Sequence, residues 1–193
     1  MARTREFDED EVMERAMHVF WRRGYQATSL TDLLAAMRLS KSSFYETFGT
    51  KRDLLLTAMA RYAGSGMSGL IAPLLAPDAS RPAIEATFAN MVRHARSADG
   101  RRGCLVNNTL GEVAPNDPVV FAATRKILRQ LEAILVAVVA RGQERGEITR
   151  RESARALARF LANTFGGLNL AAKARPDKAT LDDVVRVALR ALD

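Results

Sequence analysis

The stretch from Thr28 to Lys51, TSLTDLLAAMRLSKSSFYETFGTK, leaves the chain few choices of local fold. It reads as two short helices joined by a tight turn and followed at once by the start of a third. Ser29 and Asp32 have capping-box spacing at the start of the first helix, and Leu30, Leu33, Leu34 and Met37 supply an apolar stripe at helical spacing. Arg38-Leu39 makes the turn, and Ser40 caps the second helix, Lys41 to Phe48. Phe44 and Phe48 share one side of that helix, while Lys41, Ser42, Ser43, Glu46 and Thr47 leave the other polar and short. A short helix anchored by two aromatics, offering hydroxyls and a cation outward, has the shape and chemistry to enter a DNA major groove. Thr50 and Asp53 repeat the capping box and put Lys51 and Arg52 in the first turn of the third helix. Cations there oppose the helix dipole, and a bound phosphate would offset that cost.

Phe20, Gly24-Tyr25, Thr28-Ser29-Leu30, Leu33, Ser40-Lys41, Phe44-Tyr45, Phe48, Lys51 and Leu54 together resemble the N-terminal signature of tetracycline-repressor-family transcriptional regulators. There are two departures. Arg38 stands at the turn position where the family usually has glycine, and Ser42 is the small residue after the lysine. A non-glycine residue in a left-handed turn costs roughly 1 kcal/mol.

The chain is 193 residues long and 48% hydrophobic, enough for one good core, or a small domain plus a larger one. The formal net charge of +7 invites a polyanion reading. Residues 1–53, however, hold nine basic and nine acidic side chains, so the excess lies further along. Within that N-terminal region the signs are segregated. Acids crowd Glu6 to Glu14, while Arg15, Arg22, Arg23, Arg38, Lys41, Lys51 and Arg52 face only Asp32, Glu46 and Asp53. The later arginines are expected to be solvated helix faces. One cysteine excludes an internal disulfide framework, and His18 and His94 are too far apart for the usual zinc spacings. No metal or cofactor is expected. No apolar run reaches transmembrane length and the N-terminus has no signal-peptide core, so the expectation is a cytoplasmic protein without membrane contact.

Taken in order, Met1 to Glu6 is a short arm whose Arg3 and Arg5 either reach DNA or fray. Asp8, with Glu11 as box partner, starts a brace helix; Phe7 and Val12 stand at staple positions, and Gly24 ends the helix. The helix from Lys51 meets Gly64, Gly66 and Gly69, giving either a long kinked connector up to Pro77 or a loop between two helices. Further helices follow. The first is Ser80 to Arg96, the second Cys104 to Val113, and the third a long one opened by Asp117-Pro118 and stopping near Gly146. Thr149 with Glu152 is expected to cap the next, and Thr180 with Asp183 the last. No β alternation is present. The fold class is all-α, about nine helices. A helix-turn-helix domain spans residues 1–50, and a ligand-binding and dimerisation domain residues 51–193.

The resemblance gives the larger domain a double task. One is homodimerisation, which places two recognition helices about one DNA turn, ~34 Å, apart. Leu157, Phe160, Leu161, Gly167, Leu168, Val184, Val185 and Leu189 are the expected seam, with Gly166-Gly167 allowing close approach; packing within one subunit is the alternative. The other is sensing a small molecule among the middle helices, with Phe88, Met91, Cys104, Asn107, Asn108, Phe121, Asn163, Thr164 and Phe165 as expected lining. The segment RRGCLVNNTLGEVAPNDPVV resembles the N-ethylmaleimide-reductase repressor branch, in which a glycine-cysteine pair opens the sixth helix. Cys104 follows two arginines at a helix start, which lowers a thiol pKa. It is therefore either an electrophile sensor or a small packing residue.

By resemblance, Ser42, Ser43 and Glu46 read base edges, with Thr31 as a further candidate. Ser29, Tyr45, Thr47 and Lys51 hold phosphates, which positions without specifying. Glu46 either accepts from a cytosine amino group or turns aside as a solvated charge. The expected function is a DNA-binding transcriptional regulator, a repressor released from a double-stranded operator by a small molecule or by modification of Cys104. The rival is an all-α small-molecule-binding protein without DNA function. It would have no need of the hydroxyl-rich helix at 41–47. No nucleophile and base occur at catalytic spacing and no phosphate loop follows a strand, which argues against an enzyme.

Overall fold

The structure, a computed structural model, describes residues 8–193. Arg3, Arg5 and Phe7 lie outside the described residues. Among the described residues there are ten α-helical segments and no strand: α1 Glu9–Arg23, α2 Leu30–Met37, α3 Lys41–Phe48, α4 Lys51–Arg61, α5 Ser68–Ile71, α6 Arg81–Ala95, α7 Leu105–Glu112, α8 Pro118–Glu144, α9 Ala154–Ala172 and α10 Lys178–Arg190. The four-residue α5 continues the track of α4 through a π turn at Tyr62–Gly66, and a 3-10 turn at Ala72–Leu75 follows. The glycine-rich stretch is thus a connector helix that changes pitch where glycine weakens the α geometry.

Local chemistry sets most of the ends. Asp8 accepts from the Asp10 and Glu11 N–H groups at the head of α1, while Glu11 pairs with Arg15 rather than closing a box. Complete capping boxes open α2 (Ser29, Asp32) and α4 (Thr50, Asp53). Arg38 sits at φ 56°, the left-handed conformation that its place in the turn requires. Asp117 accepts from Val119 and Val120 N–H, with Pro118 at the first helical position of α8.

Two further caps differ from expectation. Helix α9 starts at Ala154, capped by Ser153, because Thr149 donates its backbone N–H to the Leu192 carbonyl at 2.8 Å. The Gln143 amide meanwhile holds the Thr149 and Glu152 carbonyls. The segment is a turn stapled to the C-terminus, not a helix start. Helix α10 begins a turn earlier than Thr180, capped by Asp177, whose carboxylate accepts from the Thr180 N–H at 2.7 Å.

The apolar interior forms two clusters. One joins α6, the distal half of α8, α9 and α10, around Ile84, Phe88, Leu135, Val138, Leu161 and Leu181. The other joins α1 to α4 around Phe20, Leu33, Phe44, Leu54 and Met59, and it also takes in Cys104, Leu105, Val106, Val113 and Val120 from α7 and the start of α8. Helix α7 therefore belongs to the core that supports the N-terminal helices.

Helix α3 has eight residues, too few to persist in water alone. Its register is fixed by the Ser40 cap, by Gly49 at φ 70° and by fully buried Phe44, against which Phe48 packs at 6.1 Å between ring centres. Phe44→Ala should remove about 3–5 kcal/mol of unfolding free energy in urea titration.

Candidate nucleic-acid interface and ligand groove

Burial of Phe44 turns the opposite side of α3 to solvent. Lys41, Ser42, Tyr45 and Glu46 are exposed, and Ser43 and Thr47 half-buried. The Ser40 hydroxyl lies 2.9 Å from both the Ser42 and Ser43 hydroxyls, so the cap orders the two serines. Ser29 and Thr31 are exposed at the head of α2 beside them in sequence. The Ser29 hydroxyl donates to Asp32 at 2.7 Å, and that bond, the Ser29 N–H and Arg23 together lower the Asp32 carboxyl to about 2. The cap is consequently intact through the whole neutral range.

Lys51 stands 4.3 Å over the ring of Tyr25. Burial lowers its ammonium pKa and nearby Glu112 opposes that shift. Glu112, at the end of α7, reaches across to the α1–α2 loop. Its carboxylate accepts from the Tyr25 N–H at 3.0 Å and the Gln26 N–H at 2.9 Å. Gly24 makes room for it: at φ 82°, a Cβ there would lie 2.8 Å from a Glu112 oxygen. At the other end of α7, the Trp21 indole N–H donates to the Gly103 carbonyl at 2.8 Å. Both ends of α7 are thus tied to the loop and brace of the N-terminal domain. Arg52 and Asp117 add an ion pair at 3.6 Å between α4 and the start of α8.

The other face of α7 borders a groove of about 1120 Å³ between α7, α8 and α9. Of the expected lining residues, Cys104, Asn107, Asn108 and Asn163 are there. Phe88, Met91 and Phe165 are instead buried in the neighbouring core, where Phe88 and Phe165 meet edge-on at 4.9 Å. Thr164 bonds back to the Phe160 carbonyl and does not line the groove. Phe121 is 45% exposed on the outside of α8, because one helical face cannot serve both the core under Val120 and the groove.

The seam residues also divide. Leu157, Leu161 and Leu168 are buried inside the subunit, and Val185 and Leu189 pack half-buried on the same core. Phe160, Gly167 and Val184 face out, joined by Leu170 and Val187, which sequence reasoning missed. Nothing lies within 4 Å of a Cβ built on Gly167.

Cys104 does not have the activated environment its neighbours suggested. Burial raises its thiol pKa, only partly offset by the Asn107 and Val106 N–H groups and the Tyr62 hydroxyl. Arg102 turns away onto Trp21, 5.5 Å from the indole, and pairs with Asp99 at 3.3 Å; Arg101 is exposed. Sequence reasoning also passed over Glu112 and four groove arginines, Arg125, Arg129, Arg155 and Arg159. The arginines carried a usable signal, since each pair repeats at i,i+4, where like charges repel.

A family model described as bacterial regulatory proteins, tetR family, matches residues 12–58, and one described as tetracyclin repressor-like, C-terminal domain, matches residues 81–188. The chain is 34% identical to the HTH-type transcriptional regulator YezE of Bacillus subtilis, over the whole of both chains. It is 27% identical to the transcriptional repressor ComR of Escherichia coli over 96% of this chain and 88% of that one. Among solved structures it resembles the regulator CifR in complex with a 26-bp double-strand operator DNA, with TM-score 0.87, 32% identity and coverage of 99% and 100%.

Because its thiol pKa is raised, Cys104 should stay neutral at pH 7. Its alkylation by iodoacetamide in the folded protein should be slow through neutral pH and climb only above the ordinary thiol range. Urea should abolish the difference from a free thiol, and fast labelling of folded protein at pH 7 would contradict the buried geometry.

Proposed function

Given that the chain belongs to the tetracycline-repressor family of bacterial regulatory proteins and is a DNA-binding transcriptional regulator, we propose that it represses transcription as a homodimer that leaves its operator when a small molecule fills the groove beside α7. The observation that carries the DNA half is α3, pinned by Phe44 with its hydroxyls turned to solvent. In this proposal residues 1–50 read DNA and residues 51–193 bind ligand and dimerise. Ser42, Ser43 and Glu46 contact base edges, Thr31 supports them, and Lys41 adds charge at the same surface. Ser29, Tyr45, Thr47 and Lys51 contact phosphates. The N-terminus of α4 gives Lys51 a phosphate site in which it would exchange its Tyr25 ring for a full counter-charge.

Phe160, Leu170, Val184 and Val187 form the dimer seam, with Gly167 as the point of closest approach; Gly167 and Leu170 also border the groove, so seam and groove share an edge. Exposed apolar residues at this density on two adjacent helices need a cover. Leu157, Leu161 and Leu168 back that seam from inside. Release runs through α7. Its groove face carries Asn107 and Asn108, and its end carries the Glu112 grip on the α1–α2 loop, so a ligand that shifts the helix shifts α2 and α3 with it. In the conformation described, a small molecule reaches the groove more readily than an electrophile reaches buried Cys104. Modification of that thiol, which borders the groove, is opposed by its burial and its raised pKa.

Selection from random duplex DNA should enrich paired half-sites whose centres are about one helical turn apart. With the selected duplex, Lys51→Ala should weaken every sequence alike and flatten the log–log salt slope by about one unit per subunit. Ser43→Ala should instead change preference at one position in each half-site. No enriched site, or an unchanged salt slope in Lys51→Ala, would contradict the assignment.

A further inference from the structure

We propose that the groove takes an amphipathic organic anion, a carboxylate or phosphate ester on an apolar body. The proposal rests on the reading of this groove as the effector site. Arg125 and Arg129 lie one turn apart on α8, Arg155 and Arg159 one turn apart on α9, and all four line the groove. Glu132 is the single acid in the lining, and it is taken by Arg159 at 2.9 Å. Among the described residues, Arg125, Arg129 and Arg155 have neither an ion-pair partner nor a hydrogen bond from the side chain.

A solvated helix face would account for one such arginine. Two like-charged pairs bordering the same concavity each cost helix stability at i,i+4. A concave wall with an excess of positive charge concentrates anions, and a guanidinium binds carboxylate or phosphate through two parallel N–H donors.

The rest of the lining fixes the ligand's other half. Leu110, Leu128, Val136 and Ala162 supply apolar wall. The Asn107 side-chain amide, facing Gly166 across the groove, makes no hydrogen bond within the described chain and is available as a polar anchor. The space exceeds what a free inorganic ion needs and suits a molecule of drug size or longer. No residue of α2 or α3 lines it, so a duplex held on α3 does not occupy it.

The single tryptophan, Trp21, bonds to Gly103 next to the groove residue Cys104, and its fluorescence reports binding in the full-length protein, with calorimetry as the second readout. The probes are octanoate, octyl phosphate, 1-octanol and octylammonium. Octanoate or octyl phosphate should bind about tenfold or more tightly than octanol, with octylammonium weakest, and the order of the two anions distinguishes carboxylate from phosphate ligands. Replacing one unpaired arginine on each wall, Arg129→Gln with Arg155→Gln, should cost the anions about tenfold and leave octanol unchanged, at a melting temperature unaltered or raised. Octanol equalling the anions, anion affinity surviving the double substitution, or no probe binding at all would overturn the proposal. Octanol releasing duplex DNA while the anions do not would also sink the anion class but keep the effector groove. Arginine-dependent anion binding that leaves DNA affinity untouched would keep the anion class and remove the effector role.

Discussion

The rest of the structure depends on the shared burial of α7. Leu105, Val106 and Val113 are buried in the same cluster as Phe20, Leu54 and Met59, so the helix that borders the groove is also a wall of the core shared by α1 to α4. Close-packed interiors do not deform smoothly, so a helix packed along one face into this core carries its neighbours with it when it shifts. That gives a groove on one side of α7 a mechanical route to α2 and α3 on the other. It also explains why α7 is fastened at both ends, through Gly103 to Trp21 and through Glu112 to the Tyr25 and Gln26 amides.

The interface follows from a second constraint, the brevity of α3. Eight residues give little helical stability of their own, so orientation comes from outside: a serine cap, a glycine at its end and one fully buried phenylalanine. Once Phe44 is fixed inward, the hydroxyls and Glu46 have only the solvent side. Arg38 shows the cost accepted for this geometry, a left-handed non-glycine residue at the turn between the two helices. The charges are arranged in the same sense. Asp32 and Asp53 are held in caps, and Lys51 is left facing an aromatic ring rather than a close carboxylate.

What the sequence made legible was local. Caps at Ser29, Ser40, Thr50 and Asp117 could be read because each depends on residues within one turn, and the apolar spacing of α1 to α4 marks their inner faces directly. Most misreadings involve distant partners, the local exceptions being Asp177, which caps α10 through the Thr180 N–H, and Glu11, which pairs with Arg15. Thr149 resembles a cap until the Leu192 carbonyl claims its N–H. Leu157, Leu161 and Leu168 share a helix with Phe160 and Leu170, and a helix that is apolar on two faces does not announce which one packs inside its own subunit. Phe121 looked like pocket lining by residue type, yet its register on α8 sends it outward. For Cys104 the neighbouring arginines were visible and their directions were not. Glu112 could not be singled out at all, since its task is set by a loop nearly ninety positions away.

The central claim is that α7 and the DNA-reading helices respond as one body. Backbone hydrogen exchange on the full-length protein, with and without its selected duplex, tests it most directly. The account predicts that DNA raises protection in α3 and at the head of α4, and also at the Tyr25 and Gln26 amides and along α7. Protection gained only in α2 and α3, with α7 and those two amides exchanging as in the free protein, would contradict it.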